Sequence, residues 1–255
     1  MRKFFIKGNQ IKNNQIEIIG ADVNHIKNVL RLSEKEKIKI CDSENQVNYI
    51  CEISEITKEN VKCEILEKAE NEAEGNVELH IYQGLPKADK LELIIQKGTE
   101  LGVTEFIPVA LKRSIVKIDG KDEQKKNERW QKIAEVAAKQ SGRDCIPKIE
   151  HVKTLQDVCS KIAEYDLVLI AYELEEKKYI KNELKALEQK ENYKIAVVIG
   201  PEGGLEEIEV KKLEQSGGKV ITLGKRILRT ETVALQVASI IMYELENAKC
   251  NNKNN

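Results

Sequence analysis

Residues 194–205 read KIAVVIGPEGGL, which puts an apolar strand, a glycine-rich loop and the first turn of a helix in direct succession. A continuous apolar run such as 195–199 is typical of a strand covered on both faces, as in a parallel sheet. Residues 223–235, LGKRILRTETVAL, repeat this order, with a strand over 219–223, a basic loop and a helix over 230–246. Two such units indicate an α/β fold, in which loops after the strands are the usual place for a ligand.

The same alternation extends upstream to residue 77. Strands are predicted over 77–83, 104–110 and 167–172, and helices over 88–101, 124–140, 155–163, 177–189 and 205–215. In the helix over 124–140, the spacing of Trp130, Ile133, Val136 and Ala137 predicts an inward apolar stripe. The rhythm of strands and helices predicts an α/β domain with a mainly parallel sheet over residues 77–250.

The pattern before residue 71 is different, because short β-rich segments follow one another with a single helix among them. Strands are predicted to begin at Lys3, Ile16, Lys37, Gln46 and Val61. The helix spans 22–32, with Val23, Ile26, Val29 and Leu30 on one face. Residues 1–71 are therefore predicted to form a small β-barrel, and the polar segment 71–76, NEAEGN, is the predicted linker.

Composition excludes several classes of protein. The chain is 41% hydrophobic and 33% charged, which fits a folded globular protein, and no apolar run approaches the roughly 20 residues needed to cross a bilayer. The basic start MRKFFIKGNQ has too short an apolar stretch for a signal peptide. The six cysteines never form a CxxC pair and the three histidines are scattered. We therefore expect reduced thiols, no metal centre and a cytoplasmic protein.

Charge gives two opposed indications about a nucleic-acid partner. The net charge of −1 argues against one, because phosphate binding normally rests on excess lysine and arginine. Basic residues nevertheless outnumber acidic ones in three segments, 1–31, 111–153 and 219–229. These segments form either one basic face or separate solvated helix faces. With only 4% aromatic residues, any RNA contact is expected to use the backbone and shape of a structured RNA.

The two loops have both structural and functional explanations. The loop over 199–204 matches neither a Walker A motif nor GxGxxG, so it is either a ligand-binding loop or a tight turn. In the second loop, Thr230 suits a helix N-cap and Glu231 suits the positive end of the helix. Arg229 opposes the helix dipole, and this misfit makes it the strongest functional candidate.

Several motifs together resemble one family across almost the whole chain. They are IGPEGGL (199–205), LGKRILRTETVAL (223–235), LPKADKLELIIQKGTELGV (85–103), WQKIAEVAAKQSGR (130–143) and HIKNVLRL (25–32). Their sequences and order are similar to those of the ribosomal RNA small subunit methyltransferase E family, of the SPOUT class. Val233 stands where alanine is common in that family.

The resemblance implies both an architecture and an activity. It implies an N-terminal PUA-like RNA-binding barrel, a C-terminal SPOUT α/β domain with a deep trefoil knot, and a homodimer. The implied reaction transfers a methyl group from S-adenosylmethionine to N3 of one uridine in 16S ribosomal RNA of the small subunit. The alternatives are a SPOUT methyltransferase acting on another RNA, such as a transfer RNA, and a non-catalytic RNA-binding assembly factor.

Specific residues follow from mapping these functions onto the motifs. The cofactor residues are expected to be Ala171, Tyr172, Ile199, Gly200, Pro201, Glu202, Gly203, Gly204, Leu223, Gly224, Ile227, Leu228 and Thr230. Arg229 is expected to stabilise negative charge on the uracil, and Glu202 is the candidate proton acceptor. The residues expected to bind RNA are Arg2, Lys3, His25 and Arg31 in the barrel, with Lys87, Arg113 and Arg143 near the active site.

The last helix bears on the predicted homodimer. Its apolar residues cover more than one stripe: Val233, Val237, Ile240 and Ile241 lie on one side with Glu244, and Ala234, Ala238 and Leu245 on the adjacent side. The helix is either buried wholly within its own domain or shared between two subunits. The family resemblance favours the shared arrangement.

Overall fold

A computed structural model describes residues 1–118 and 120–246, and the chain divides there into two compact units. The first unit comprises Met1–Glu74 and Ala138–Ile146, and the second contains Gly75–Ala137 and the chain from Pro147 onward. The break after Glu74 falls inside the predicted linker 71–76. The prediction placed residues 138–146 in the second domain, whereas they belong to the first unit. The predicted end of the second domain, residue 250, lies outside the described residues.

The first unit is a curled six-stranded sheet with a short α-helix between the third and fourth strands. Its elements are β1 (Lys3–Ile6), β2 (Ile11–Lys12), β3 (Gln15–Ile19), α1 (Ala21–Asn24), β4 (Lys37–Asp42), β5 (Val47–Ile56) and β6 (Asn60–Ala69). The strand order is β1-β4-β5-β6-β3-β2, with only the β1–β4 pair parallel. Two register shifts between β5 and β6 bend the sheet around an apolar core that includes Phe4, Ile16 and Ile38.

The helix of the first unit is less regular than its sequence pattern predicts. After α1 the chain continues as a π-helical turn over His25–Val29, closed by a bond from the Leu30 N–H to the His25 carbonyl. Widening of the helix rotates the following side chains relative to the 3.6-residue period. The Val29 side chain is consequently 64% exposed, so its predicted place on the buried face is wrong, whereas Val23 and Ile26 are buried.

Residues 138–146 are tied into the first unit by a buried carboxylate. The Asp144 side chain is fully buried, with the Lys3 ammonium 2.6 Å and the Lys39 ammonium 3.0 Å from its Oδ1 atom. The backbone N–H groups of Glu72 and Ala73 donate to its Oδ2 atom. Burial opposes ionisation of Asp144, but these donors and cations outweigh it and lower its pKa to about 2. Asp144 is therefore the ionised centre of a buried network.

The second unit is an α/β layer structure. Its strands are β7 (Val77–Gly84), β8 (Glu105–Ala110), β9 (Lys148–Ile149), β10 (Lys153–Thr154), β11 (Leu167–Ala171), β12 (Tyr193–Ile199) and β13 (Lys219–Ile221). Its helices are α2 (Lys90–Glu100), α3 (Gly120–Ser141), α4 (Leu155–Lys161), α5 (Ile180–Ala186), α6 (Glu207–Gln215) and α7 (Thr230–Glu246), and the last residues of α3 are counted with the first unit. The strand order is β10-β8-β7-β12-β11-β13, with β9 beside β8.

Every strand pair of this sheet is parallel, which confirms the predicted fold class. The missed strands β2, β9 and β10 have two residues each, too few to show a period. In α3, Trp130 and Ala137 are buried as predicted, but Val136 is 55% exposed. Val136 lies about 120° around the helix from Trp130, so Ala134 and Ala138 complete the buried stripe instead.

Candidate active site

A cleft of about 440 Å³ lies where three parallel strands end. Ala171, the last residue of β11, is in register with Ile199 of β12 and with Ile221 of β13. Because these strands run in the same direction, the three loops that follow them emerge at one edge of the sheet. The cleft is thus built from the loop after β11, the glycine loop after β12 and the basic loop between β13 and α7.

Most of the residues predicted to bind a cofactor line this cleft. They are Ala171, Tyr172, Ile199, Gly200, Pro201, Glu202, Gly204, Leu223, Gly224, Ile227, Leu228 and Thr230, and Arg229 lies among them. The prediction missed Lys90, Glu173, Ile221, Thr222, Lys225, Arg226 and Val233. Apart from Lys90, each of these is within three residues of a predicted position, so extending the loops would have found them. Lys90 reaches the cleft from α2, a placement that only the folded structure reveals.

Gly203 is the predicted cofactor residue that does not line the cleft. Its carbonyl accepts a hydrogen bond from the Arg113 guanidinium, with 2.8 Å between the Nη1 and oxygen atoms. A Cβ atom added at Gly203 would lie 3.1 Å from the Cβ atom of Arg113. This part of the glycine loop therefore faces the Arg113 segment, and the wall of the cleft is formed by its neighbours.

The glycine loop is a tight turn as well as a wall of the cleft. The Gly204 N–H donates to the Pro201 carbonyl at 2.9 Å, and Gly204 has a φ of +71°, a conformation that favours glycine. A Cβ atom on Gly200 would lie 2.8 Å from the backbone carbon of Gly204. The turn can close this tightly only because Gly200 has no side chain. The tight turn expected from the sequence is confirmed, and ligand binding by this loop stays a prediction.

Thr230 has a different role from the predicted N-cap. The Val233 N–H donates to the Arg229 carbonyl at 2.9 Å, which makes Arg229 the residue preceding the first turn of α7. The Thr230 hydroxyl instead donates to the Gly200 carbonyl, with 2.7 Å between the oxygen atoms. Its prediction as a cap is wrong because the hydroxyl links α7 to the glycine loop.

Glu202 is held by α2 and the residues before it. Its Oε1 atom accepts from the Lys87 N–H at 2.9 Å and lies 3.0 Å from the Lys90 ammonium, which is also 3.5 Å from Glu231. Burial raises the pKa of the Glu202 carboxyl, but the Lys87 N–H and the Lys90 ammonium outweigh it, so the net pKa is lowered. A carboxylate stabilised in this way is a weak proton acceptor, which argues against Glu202 as the base.

Arg229 lies in the cleft with its side chain exposed. Within residues 1–118 and 120–246, no hydrogen bond or ion pair engages its guanidinium. Lys225 and Arg226 on the same loop are exposed as well. The cleft therefore has a cationic side on which Arg229 can meet an incoming negatively charged group.

The side chains predicted to bind RNA fall into two groups. Arg2, His25 and Arg31 in the first unit are exposed, as are Lys87 and Arg113 in the second. The ammonium of Lys3 pairs with buried Asp144 and donates to the Gly142 carbonyl. Arg143 is 4% exposed, and its Nη2 atom lies 2.6 Å from Glu74 Oε2. Lys3 and Arg143 therefore form internal ion pairs, and we do not include them in a surface for RNA.

The remaining sequence predictions concern thiols, metals and membranes. Cys41, Cys51, Cys63, Cys145 and Cys159 have free thiols, and Cys250 lies outside the described residues. Burial raises the pKa of Cys41, Cys51, Cys63 and Cys145 to about 12. In the described ranges there is no cluster of three or more His, Cys, Asp or Glu side chains suited to a metal ion. None of the helices described there combines the length and the apolar character that a membrane crossing requires.

Comparison with known proteins relates both units to RNA modification. Residues 73–242 match the RNA methyltransferase domain family, and residues 18–66 match the RNA methyltransferase PUA domain family. The chain is 40% identical over 254 residues to the ribosomal RNA small subunit methyltransferase E of Bacillus subtilis, covering 96% of this chain and 98% of that protein. The corresponding enzyme of Mesomycoplasma hyopneumoniae is 32% identical, over 92% of this chain and 96% of that protein.

Solved structures give the same assignment. A ribosomal RNA small subunit methyltransferase E from Neisseria gonorrhoeae, bound to S-adenosyl methionine, is 28% identical with a TM-score of 0.80, covering 95% of this chain and 97% of that one. A putative methyltransferase from Legionella pneumophila, also in complex with S-adenosyl methionine, is 27% identical with a TM-score of 0.78, covering 94% and 96%. The chain therefore belongs to the ribosomal RNA small subunit methyltransferase E family.

Proposed function

We propose that this protein transfers a methyl group from S-adenosylmethionine to N3 of a uridine in the 16S ribosomal RNA of the small subunit. The cleft at the ends of β11, β12 and β13 is the observation that carries the proposal, because it brings the glycine loop and the Arg229 loop together. Family membership supports ribosomal RNA as the substrate class, and the two S-adenosylmethionine complexes of related proteins support the cofactor.

The residues of the cleft fit S-adenosylmethionine. A volume of about 440 Å³ is in the range of small-molecule sites. Ile199, Leu223 and Leu228 offer apolar surface for an adenine ring, and the loop backbone between them offers hydrogen-bonding groups for its edge. Glu173 adds a carboxylate for a hydroxyl or ammonium group. When bound, the cofactor supplies an electrophilic methyl group.

The protein's own contribution to the reaction is positioning and charge stabilisation. Loss of the N3 proton spreads negative charge over the uracil carbonyl oxygens, and the exposed guanidinium of Arg229 is placed to stabilise that charge. Holding the two reacting groups in the same cleft lowers the barrier further. Arginine stays protonated, and Glu202 is occupied by Lys90 and the Lys87 N–H, so we assign the base to neither.

The substrate is tested by offering several RNAs to the protein with labelled S-adenosylmethionine. Small ribosomal subunits, naked 16S RNA and transfer RNA are incubated separately, and digestion with mass spectrometry locates the methylated atom. We expect label at N3 of a single uridine of 16S RNA. Label in transfer RNA alone would show that transfer RNA, and not 16S RNA, is the substrate. The absence of label from every RNA would favour an RNA-binding assembly factor.

A separate prediction concerns the first unit as an RNA-binding surface. Replacing both Arg2 and Arg31, which are exposed there, by glutamate should weaken RNA binding and lower the slope of log K against log salt by about 1 per lost phosphate contact. Cofactor affinity should stay unchanged. The control replaces the exposed Lys181 and Lys185 of α5 by glutamate, which makes the same change in net charge. An unaltered salt slope in the Arg2 and Arg31 variant would show that these arginines do not contact the RNA.

The homodimer and the knot are also proposals, based on family resemblance. In α7, Ala234, Val237, Ala238, Ile241 and Leu245 are buried within the subunit. Val233 and Ile240 are half-buried and Glu244 is exposed, so one side of α7 is incompletely covered within the subunit. Light scattering at micromolar concentration should give about twice the mass of 29.0 kDa, and the mass of a single chain would contradict the dimer.

A ribosomal substrate supports a cytoplasmic location for this protein.

A further inference from the structure

Gln83 is a fully buried polar side chain beneath the cleft, although it does not line it. It lies near the end of β7, in register with Ile199 of β12. Its Nε2 atom donates to the Gly84 carbonyl at 2.9 Å and to the Thr230 hydroxyl at 2.8 Å, and the Gly200 carbonyl is 3.4 Å away. A single amide thus contacts the end of β7, the glycine loop and the first residue of α7.

The direction of these hydrogen bonds is fixed by the groups that surround the amide. The Thr230 hydroxyl uses its one proton to donate to the Gly200 carbonyl, so it can only accept from Gln83. The carbonyls of Gly84 and Gly200 are acceptors in any orientation. The nitrogen of Gln83 must therefore face them, and the bonds run from the Gln83 amide to the Thr230 hydroxyl and on to the Gly200 carbonyl.

The oxygen of the Gln83 amide has different surroundings from the nitrogen. Its Oε1 atom is buried and has no hydrogen-bond partner within the described residues. Leaving a buried acceptor unsatisfied is unfavourable, and an apolar side chain of similar size would avoid the penalty. The nitrogen, by contrast, faces the Thr230 hydroxyl and the Gly200 carbonyl, which belong to two residues of the cleft, as well as the Gly84 carbonyl at the end of β7.

We propose that Gln83 is a positioning residue of the active site, acting through Thr230. The hydroxyl that it orients holds the start of α7 against the glycine loop, and Arg229 immediately precedes that hydroxyl in the chain. The amide thereby sets the position of the Arg229 loop relative to Gly200. This inference rests on the proposed function, because the site that Gln83 positions is the proposed cofactor site. Gln83 is the side chain that fixes the glycine loop and the Arg229 loop of that site relative to each other.

The test measures S-adenosylmethionine affinity by calorimetry in four variants of the full chain. Gln83→Leu and Thr230→Val each break the chain of hydrogen bonds and should weaken binding by about tenfold or more. Thr230→Ser keeps the hydroxyl and should bind close to the wild-type value. Combining Gln83→Leu with Thr230→Val should cost little more than either change alone, because both remove the same connection.

A matched control separates positioning from general stability. Thr99 of α2 is fully buried, and its hydroxyl donates to the Ile95 carbonyl in the same unit without lining the cleft. Thr99→Val should lower the melting temperature while leaving cofactor affinity unchanged.

The outcomes distinguish the inference from the function on which it rests. If the wild-type protein does not bind S-adenosylmethionine, the proposed function is wrong. If it binds, and folded Gln83→Leu binds equally well, the inference is overturned. Should Gln83→Leu fail to fold, the Thr230 variants decide, since equal affinities of Thr230→Val and Thr230→Ser would overturn the inference as well.

Discussion

Replacing Arg229 by alanine should lower kcat for methylation of small-subunit RNA by about 10²- to 10³-fold, the loss typical of removing one group that stabilises transition-state charge. The guanidinium lies in the cleft, is exposed and has no partner in the part of the chain that the structure describes. Its removal should therefore leave the melting temperature and the affinity for S-adenosylmethionine unchanged. Single-turnover kinetics with saturating cofactor measure the effect directly.

Two further variants make this result interpretable. Arg229→Lys keeps the positive charge without the planar fork of donors and should recover part of the rate. Arg129→Ala removes an arginine on α3 that pairs with Glu92 outside the cleft, and it should methylate at the wild-type rate. A wild-type kcat for Arg229→Ala would show that Arg229 does not stabilise the reacting uracil.

The largest effect on stability is expected at Asp144. Asp144→Asn should lower the free energy of unfolding by about 3–5 kcal/mol, because it leaves the ammonium groups of Lys3 and Lys39 without their buried counter-charge. Denaturant titration at pH 7, followed by circular dichroism, measures the difference. The control is Asp166→Asn, which removes a half-exposed pair with Lys190 and should cost about 1 kcal/mol or less. If both variants lost the same free energy of unfolding, burial of the Asp144 ion pairs would not be the reason for their large contribution.

The same residue predicts an acid dependence. The pKa of Asp144 is lowered from 3.8 to about 2 in the folded protein, so the unfolded chain takes up a proton at a higher pH than the native one. The stabilisation, about 2 kcal/mol from this shift, is fully present above pH 4 and is lost as the pH falls towards 2. The stability difference between wild type and Asp144→Asn should shrink over this range, and a difference independent of pH would contradict the lowered pKa.

The sequence was sufficient to predict the five longer strands of the parallel sheet and the loops of the cleft, because both follow from local patterns. The apolar run 195–199 and the loops after it show where parallel strands end, and those ends meet in space. Local patterns could not predict the roles of side chains whose partners are far away in the sequence. Lys3 and Arg143 were predicted to bind RNA from the basic segments and the family resemblance. Their ion-pair partners, Asp144 and Glu74, are far away in the sequence, so no local pattern indicated these pairs. Gln83 was missed because a lone glutamine in a strand has no distinguishing pattern.

The discontinuous first unit also has a consequence for the order in which the nascent chain can fold. When the ribosome has made Met1–Glu74, Lys3 and Lys39 still lack the carboxylate of Asp144, which belongs to the same unit. At ordinary rates of synthesis, roughly 4–14 s pass before residue 146 is added. The ammonium groups of Lys3 and Lys39 therefore gain their counter-charge only once Asp144 has been made. Folding during translation is expected to complete the first unit only after half of the chain has emerged.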